Sequence, residues 1–419
     1  MAGTETAEVD CLVLGAGAVG VSTALQLQAL GKQVVLVDRQ PAAEATSYGN
    51  TGIIQAEGVV PYMLPMEAMR LFQMLLNRRS EAHVHYGALL KLAPWLARYG
   101  MNSFEAGVQR GAAAHLPLIQ KAISEHERFI GAAGVEHLVR RTGYLKVYRD
   151  TEDLEADEKE SLSQADRYGI KFNVVNPDEL EKLEPHLSDD LVGAIHYPEP
   201  VSLADPSALV KAYAALFQKQ GGRFLTADAR TLARDGAHWT VSTVDGRLKA
   251  EHCVLALGPW SADILKLLGV PVPLAFKRGY HMHYSASGNA TLSRPVLDTD
   301  HGYVMTQMER GIRLTTGAEF AERDAKPSPR QLEKVEPFAR ELFPLDKRLD
   351  AEPWLGSRPC LPDLIPMMGA VPGNRGLWAN FGHHHLGLTL GPVTGRLLAE
   401  IMTGEKPFTD PAPYRVDRF

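Results

Sequence analysis

The sequence predicts a mixed α/β fold in which a dinucleotide-binding unit is interleaved with a second block of antiparallel strands and helices. Three observations carry this. Residues 8–38 read as strand, glycine-rich turn, helix and strand in that order. A second strand–glycine–helix return follows at residues 253–261. Residues 61–189 and 273–351 carry helical and antiparallel patterns that a minimal nucleotide unit does not need.

Each part of the first unit has a physical task. Val9–Leu14 is a short apolar run with the length of a buried strand. It ends in Gly15-Ala-Gly17-Ala-Val-Gly20, a GxGxxG turn. Gly15 permits the tight turn, Gly17 lets a pyrophosphate approach the backbone, and Gly20 lets the helix pack close to the strand. The helix over Val19–Leu30 offers free N–H groups and a positive dipole end to phosphates, and Gly31 caps it. The next strand ends in Asp38, placed to accept hydrogen bonds from a ribose. The strand–turn–helix context makes this GxGxxG specific, where the bare motif is a weak signal.

Composition bounds the rest. The chain has 419 residues, 45% hydrophobic and 22% charged, enough for two domains and a large core. A net charge of −6 without a basic stripe gives no footprint for nucleic acid. The three cysteines, Cys11, Cys253 and Cys360, form neither a disulfide framework nor a zinc site, which fits a reducing cytoplasm. The polar N-terminus has no signal-peptide character, and no 18-residue apolar run predicts a membrane span. Residues 59–80, rich in Met and Leu and ending in Arg78-Arg79, predict a core or lid helix. Peripheral contact with the inner face of a membrane is the second reading.

After Asp38 and Arg39, the loop TSYGNTG at 46–52 has the hydroxyls, amide and glycines that bind a polar ligand. Helices are expected over Met66–Asn77, His83–Arg98 and Gly111–Ala133, a strand over Gly143–Tyr148, and a solvated helix over 150–168. Ser207–Lys219 predicts a helix, Arg223–Thr226 a strand, and 238–251 a hairpin turned by Asp245-Gly246. Phe276–Tyr284, Tyr303–Gln307 and Gly311–Thr316 predict antiparallel strands, and Gln331–Leu342 a helix. Leu377–Phe381 predicts a strand, and Pro392–Met402 a helix that starts at its proline.

In this order, GAGAVG at 15–20, TSYGNTG at 46–52, ALGPWS at 256–261, FKRGY at 276–280, WLGSRPCLPDLIPMMG at 354–369 and LWANFGHHHLGLTLGP at 377–392 resemble the FAD-dependent amino-acid oxidase and dehydrogenase superfamily. The D-amino acid dehydrogenases are the nearest group, and the likeness runs from Val9 to about Tyr414. The resemblance implies a Rossmann-like FAD-binding domain from 8–60, 190–272 and 352–415. It also implies a substrate domain from 61–189 and 273–351, built on an antiparallel sheet with helices. It implies that Gly15, Gly17, Gly20, Asp38 and Arg39 hold the nucleotide, and that Thr46, Ser47, Asn50 and Gly52 line the path to the ring. Ala229 would offer its backbone to the adenine, Gly258 would pack on the cofactor, and Gly382, Gly387, Leu388 and Thr389 would approach the flavin.

The implied reaction is hydride transfer from the α-carbon of an amino acid to flavin N5, giving an imino acid that hydrolyses to a 2-oxo acid and ammonia. Such a site needs a cation for the carboxylate. Arg358 is the first candidate and Arg278 the second, because a guanidinium forks onto two oxygens. Tyr280, Tyr303 and Tyr62 are expected at the pocket. His384 and His385 depart from the small residues usual there, and His384 is the candidate to reach substrate or flavin. Consecutive histidines on an extended segment would face opposite ways, and His281 with His283 lack a third ligand, so no metal is expected. The FAD is expected to be non-covalent, with Cys360 a packed thiol. The electron acceptor is expected to be a quinone, another carrier or oxygen. The competing substrates are N-substituted or cyclic amino acids of the sarcosine, proline or hydroxyproline type. A nicotinamide enzyme, or a flavoprotein subunit without catalysis, are the readings from other classes.

Overall fold

In the computed structural model, residues 7–244 and 246–419 are described. The N-terminal six residues and the expected hairpin turn at Asp245 lie outside them. An eight-stranded sheet holds the nucleotide-type segments. Its centre is the strand Ala7–Leu14, which pairs in parallel with Val34–Asp38 on one side and Gly246–Leu255 on the other. Arg223–Thr226 extends one edge, and Leu377–Phe381 pairs in parallel with the far end of Gly246–Leu255. That long strand also forms the expected hairpin with His238–Thr243. Parallel strands covered on both faces are apolar throughout, which is why Cys11–Leu14 and Cys253–Leu255 are buried without alternation.

Helices Ala18–Ala29, Pro206–Lys219 and Gly387–Thr403 cover one face of this sheet. The first is held very close: a Cβ on Gly20 would lie 1.8 Å from the Gly15 carbonyl oxygen, so only glycine fits there. The last begins at Gly387, five residues before the expected start, and Pro392 lies inside it. A proline removes the N–H that would bond the Leu388 carbonyl. The buried His126 side chain replaces it, with Nε2 2.9 Å from that oxygen. The Pro392 carbonyl in turn accepts a 3.2 Å bond from Gln26 Nε2. These two contacts tie Gly387–Thr403 to the helix Glu105–Ala133 through His126 and to Ala18–Ala29 through Gln26.

The second sheet has eleven strands, mostly antiparallel, with Ala275–Ala286 at its core. Two of its strands lie across the divisions expected from sequence: Gly193–Tyr197 pairs with Tyr144–Tyr148, and Trp354–Cys360 pairs with Ala275–Ala286. His83 is not helical. Ala82–Val84 is a short strand parallel to Ala318–Phe320, and the helix expected from His83 runs instead over Leu89–Asn102. The helix Glu105–Ala133 starts six residues before its expected beginning and carries Pro117 inside it.

The two sheets are tied through the loop after Asp38. Arg313, buried in Gly311–Thr315, donates from Nη1 to the carbonyls of Asn50 at 2.5 Å and Tyr48 at 3.3 Å. Its Nε donates to His283 Nε2, and His283 Nδ1 donates to Asp350 Oδ2 at 2.8 Å. Gly49 packs directly beneath the Trp354 ring, which itself stacks on His281 with centroids 4.9 Å apart.

Candidate active site

A cavity of about 650 Å³ runs from the C-terminal ends of the parallel strands to the inner face of the second sheet. At its nucleotide end lie Gly15, Gly17, Asp38, Arg39, Ala229 and Gly258. Asp38 is fixed by two backbone amides, Ala16 N–H to Oδ2 at 2.7 Å and Gln40 N–H to Oδ1 at 3.1 Å. Both oxygens keep lone pairs for a ribose. Arg39 lies over the Trp260 ring at 4.9 Å. Ser47 Oγ accepts from the Ala18 amide in the first turn of the helix, and Thr46, Asn50, Gly382, Gly387 and Leu388 continue the lining. Bare backbone at Gly15 and Gly17, a carboxylate at Asp38 and a helix N-terminus at Ala18 fit an adenine dinucleotide.

Three of the expected cofactor residues act from behind the wall. Gly20 sets the helix–strand distance. The Gly52 amide closes a turn onto Asn50 Oδ1. Thr389 Oγ1 accepts from the Gln55 amide and donates to the Ile53 carbonyl, bracing the loop.

The far end is set by strand register. Lys277 pairs with Arg358, Gly279 with Gly356 and His281 with Trp354. Directly opposed residues share one face, so Lys277 and Arg358 stand side by side on the cavity. Gly279 leaves room for the guanidinium: a Cβ there would lie 2.5 Å from Arg358 Nη2. Arg358 donates to the carbonyls of Gly317 and Thr316 at 2.7 and 3.2 Å. Lys277 Nζ donates to the Tyr99 hydroxyl at 2.5 Å and lies 4.1 Å from the centre of that ring. Among the described residues, no carboxylate pairs with either cation. Desolvation, with Arg358 beside it, pulls the Lys277 ammonium down to about 8, and burial lowers Arg358 as well.

Arg278 is corrected by the same alternation. It points to the opposite face, fully buried, where Nε meets Glu319 Oε2 at 2.6 Å. Its Nη atoms donate to the carbonyls of Ala325, Glu322 and Lys326, so no donor fork is left for a substrate. Tyr280 reaches the cavity wall, but its hydroxyl lies 3.1 Å from Glu319 Oε2 and accepts from the Ser328 amide. Both are structural members of one buried network. Tyr303 is buried in the core of the larger sheet, outside the cavity lining.

The triple histidine is not extended. His384–Leu386 forms a tight helical turn, with His384 at φ +42°, leading into the helix at Gly387. His383 Nε2 bonds Thr394 Oγ1 inside the core. The rings of His384 and His385 meet, Nδ1 to Nδ1 at 2.9 Å, and both line the cavity. Burial first, then Arg358 and Lys277, hold His385 down at about 3; burial and the neighbouring His385 push His384 well below its ordinary range. Two other clusters bring three metal-ligating side chains together, His83–His85–Glu319 and Asp298–Asp300–His301. Arg278 already neutralises the first and Arg149 the second.

Sequence reading missed Lys277, Tyr99, Arg313 and the His384–His385 contact. Lys277 could have been found: strand alternation over 275–280 puts Lys277 and Arg278 on opposite faces. Tyr99 and Arg313 reach the site from distant elements and leave no local signal.

A parallel-sheet dinucleotide cradle facing a desolvated cation pair defines a dinucleotide-binding protein of two interlocked sheets. The model of the family described as FAD dependent oxidoreductase matches residues 10–401, and the chain belongs to that family. It is 29% identical over 415 residues to a D-amino-acid oxidase of Bradyrhizobium diazoefficiens, covering 97% of this chain and 98% of that one. It is also 29% identical over 400 residues to a D-amino acid dehydrogenase of Xylella fastidiosa, covering 93% and 91%. Glycine oxidase from Geobacillus kaustophilus shares the fold, with a TM-score of 0.74 at 20% identity over 99% of this chain and 100% of that one. The protein is thus an FAD-dependent oxidoreductase.

The buried Arg278–Glu319 pair gives a direct test of the corrected assignment. Arg278→Met should cost about 3–5 kcal/mol in denaturant unfolding, because it removes the guanidinium that balances the buried Glu319 carboxylate and leaves it only His85 and the Tyr280 hydroxyl. Adding Glu319→Gln should recover part of that loss. A stable Arg278→Met protein with only a raised KM would instead make Arg278 a substrate ligand.

Proposed function

We propose that the protein oxidatively deaminates D-amino acids with non-covalent FAD. The observation that carries this is the Lys277–Arg358 pair, two cations without carboxylate partners among the described residues, in the cavity into which the dinucleotide cradle opens. A substrate carboxylate is the missing anion. Bound FAD supplies the acceptor for the α-hydride and its electron pair. The protein's own part is positional. Arg358, held by the Gly317 and Thr316 carbonyls, keeps donors to spare for the carboxylate. Lys277, braced by Tyr99, adds the second charge. The neutral histidines border the same end and leave the amine uncharged, as loss of hydride requires. The product imino acid then takes up water to give a 2-oxo acid and ammonia. Cys360, buried and turned back toward the Arg358 carbonyl, supports a packed thiol. The names of the two relatives support the D-amino acid class.

Anaerobic flavin reduction with D-amino acids, L-amino acids, sarcosine and cyclic imino acids tests the reading. D-amino acids should bleach the flavin; bleaching only by N-methyl or cyclic substrates would replace it. Arg358→Ala should raise KM by about two orders of magnitude while FAD stays bound. Loss of FAD would assign Arg358 to the cofactor instead.

Lys277 adds a pH dependence. Its ammonium is charged below about 8 and neutral above, so substrate affinity falls as pH rises through that value. The alkaline limb of kcat/KM should vanish in Lys277→Met, whose KM is already raised at pH 7. An unchanged profile would remove Lys277 from the site.

We infer further that electrons pass to a quinone or another carrier at a membrane surface on the cytoplasmic side. The helix Ala68–Leu75 has no buried residue, its Met69 and Phe72 are exposed, as are Leu90, Met101 and Phe104 further along the chain, and Arg78 follows it in sequence. No helix among the described residues is long and apolar enough to cross a membrane. Co-sedimentation with anionic vesicles should be lost in Met69→Ser/Phe72→Ser; binding unaffected by these changes would count against the surface.

A further inference from the structure

We propose that His384 and His385 work as one unit in opposite tautomers, and that the ring left with a free Nε2 lone pair holds the neutral amine of the substrate by its N–H. This rests on the reading that the cavity takes an amino acid, and it deepens that reading.

The geometry leaves little freedom. Two neutral imidazoles whose Nδ1 atoms lie 2.9 Å apart must supply one N–H and one lone pair to that contact. The ring that donates from Nδ1 therefore has a bare Nε2, and its neighbour has an N–H at Nε2. Exchanging the two roles takes two protons: the shared one crosses between the Nδ1 atoms while one Nε2 releases a proton and the other takes one up, so both rings stay neutral. Neither Nε2 has a partner among the described residues, and both atoms are buried. His384 is only 4% exposed. An orphaned buried nitrogen costs about 1–3 kcal/mol, so a pair of them marks a place where a ligand completes the bonding. His384 is also kept at φ +42°, a strained setting for a side-chain residue, and its ring is fixed from the other side by His115 at 5.4 Å between centroids.

The position selects the amine among substrate groups. Arg358 and Lys277 are the charged neighbours of His385, and a carboxylate bound there places its α-nitrogen two bonds further on. The groups facing the pair are otherwise Tyr62, whose ring lies 5.3 Å from His385, and His115 and His383, both held neutral by burial. No carboxylate is among them. An ammonium would meet two cations and an N–H. A neutral amine gives its N–H to the bare Nε2 and keeps its own lone pair free for the C=N bond that forms as the hydride leaves. The ammonium proton goes to bulk water before docking, since neither ring is a place for it.

Two measurements decide this. In 15N-histidine-labelled holoenzyme without substrate, long-range 1H–15N spectra should show one of the two rings protonated at Nδ1 and the other at Nε2, both neutral from pH 6 to 9. Two rings in the same tautomer, or a charged ring, would overturn the proposal. In anaerobic stopped flow with D-alanine, His384→Asn and His385→Asn, which keep a polar atom near Nδ1 but lack Nε2, should each slow flavin reduction about tenfold at pH 7. Each should raise its apparent pKa by about one unit. His385→Gln, which reaches the Nε2 position, should recover part of the rate. Slower reduction with an unmoved pH profile and no rescue by Gln would show a purely structural role and end the proposal. If wild-type flavin is not reduced by any D-amino acid, the substrate assignment falls, and the tautomer spectra still judge the pair.

Discussion

The site depends on one strand pairing. Ala275–Ala286 lies antiparallel to Trp354–Cys360 with Lys277 opposite Arg358. Because side chains alternate with period two, a slip of one residue on the first strand would send Lys277 into the core and bring Arg278 to the cavity. Three features hold the register. On the buried face, Arg278, Tyr280 and Glu319 form a network that closes only in this setting. On the cavity face, the Thr316 and Gly317 carbonyls take two arms of Arg358. At the end of the ladder, His281 stacks on Trp354. The buried Arg278 network is thus what aims Arg358 at the cavity.

The nucleotide half is positioned with similar economy. Its sheet and helices place Gly15 and Asp38 by local rules, but the second helix, Gly387–Thr403, is placed by tertiary substitution for a missing N–H. His126 caps the Leu388 carbonyl that Pro392 leaves open, and Gln26 takes the Pro392 carbonyl. That lets the helix begin early, at Gly387, directly behind the histidine turn. Arg313 then ties the loop at Tyr48 and Asn50 to the second sheet. Cradle and cation pair therefore share a common frame, and a shift of the loop would be felt at both.

What was legible in the sequence follows the range of the interaction. The βαβ unit, the helix Pro206–Lys219 capped by Asp205, and the long strands were readable because caps, glycines and apolar runs act within a few residues. The helix start at Gly387 was hidden because Pro392 is a start signal by local rules, and its repair comes from His126, distant in sequence. His83 was misread as helical because a three-residue strand carries almost no pattern of its own and exists only through Ala318–Phe320. Arg358 was named from its motif, and it lines the cavity. Arg278 was named and Lys277 passed over because guanidinium chemistry was weighed without the alternation that separates two adjacent residues. The histidine pair was invisible, since an extended reading sends neighbours apart and only the turn at φ +42° brings them together.

The arrangement makes sense as a balance of charge against burial. Two desolvated cations without a counter-ion among the described residues oppose folding, and the lowered Lys277 expresses that opposition. Surrounding acids would relieve it, yet any carboxylate close enough to do so would compete with the substrate's own. The chain instead stabilises the cations with neutral partners, the Tyr99 hydroxyl and ring and two backbone carbonyls, which attract positive charge without supplying an anion. The histidines extend the same logic: burial and the neighbouring cations keep them neutral, so they add hydrogen-bonding capacity without charge. What is left unpaired at this end is the Nε2 of His384 and of His385, buried with no partner among the described residues beside two cations that no carboxylate there neutralises.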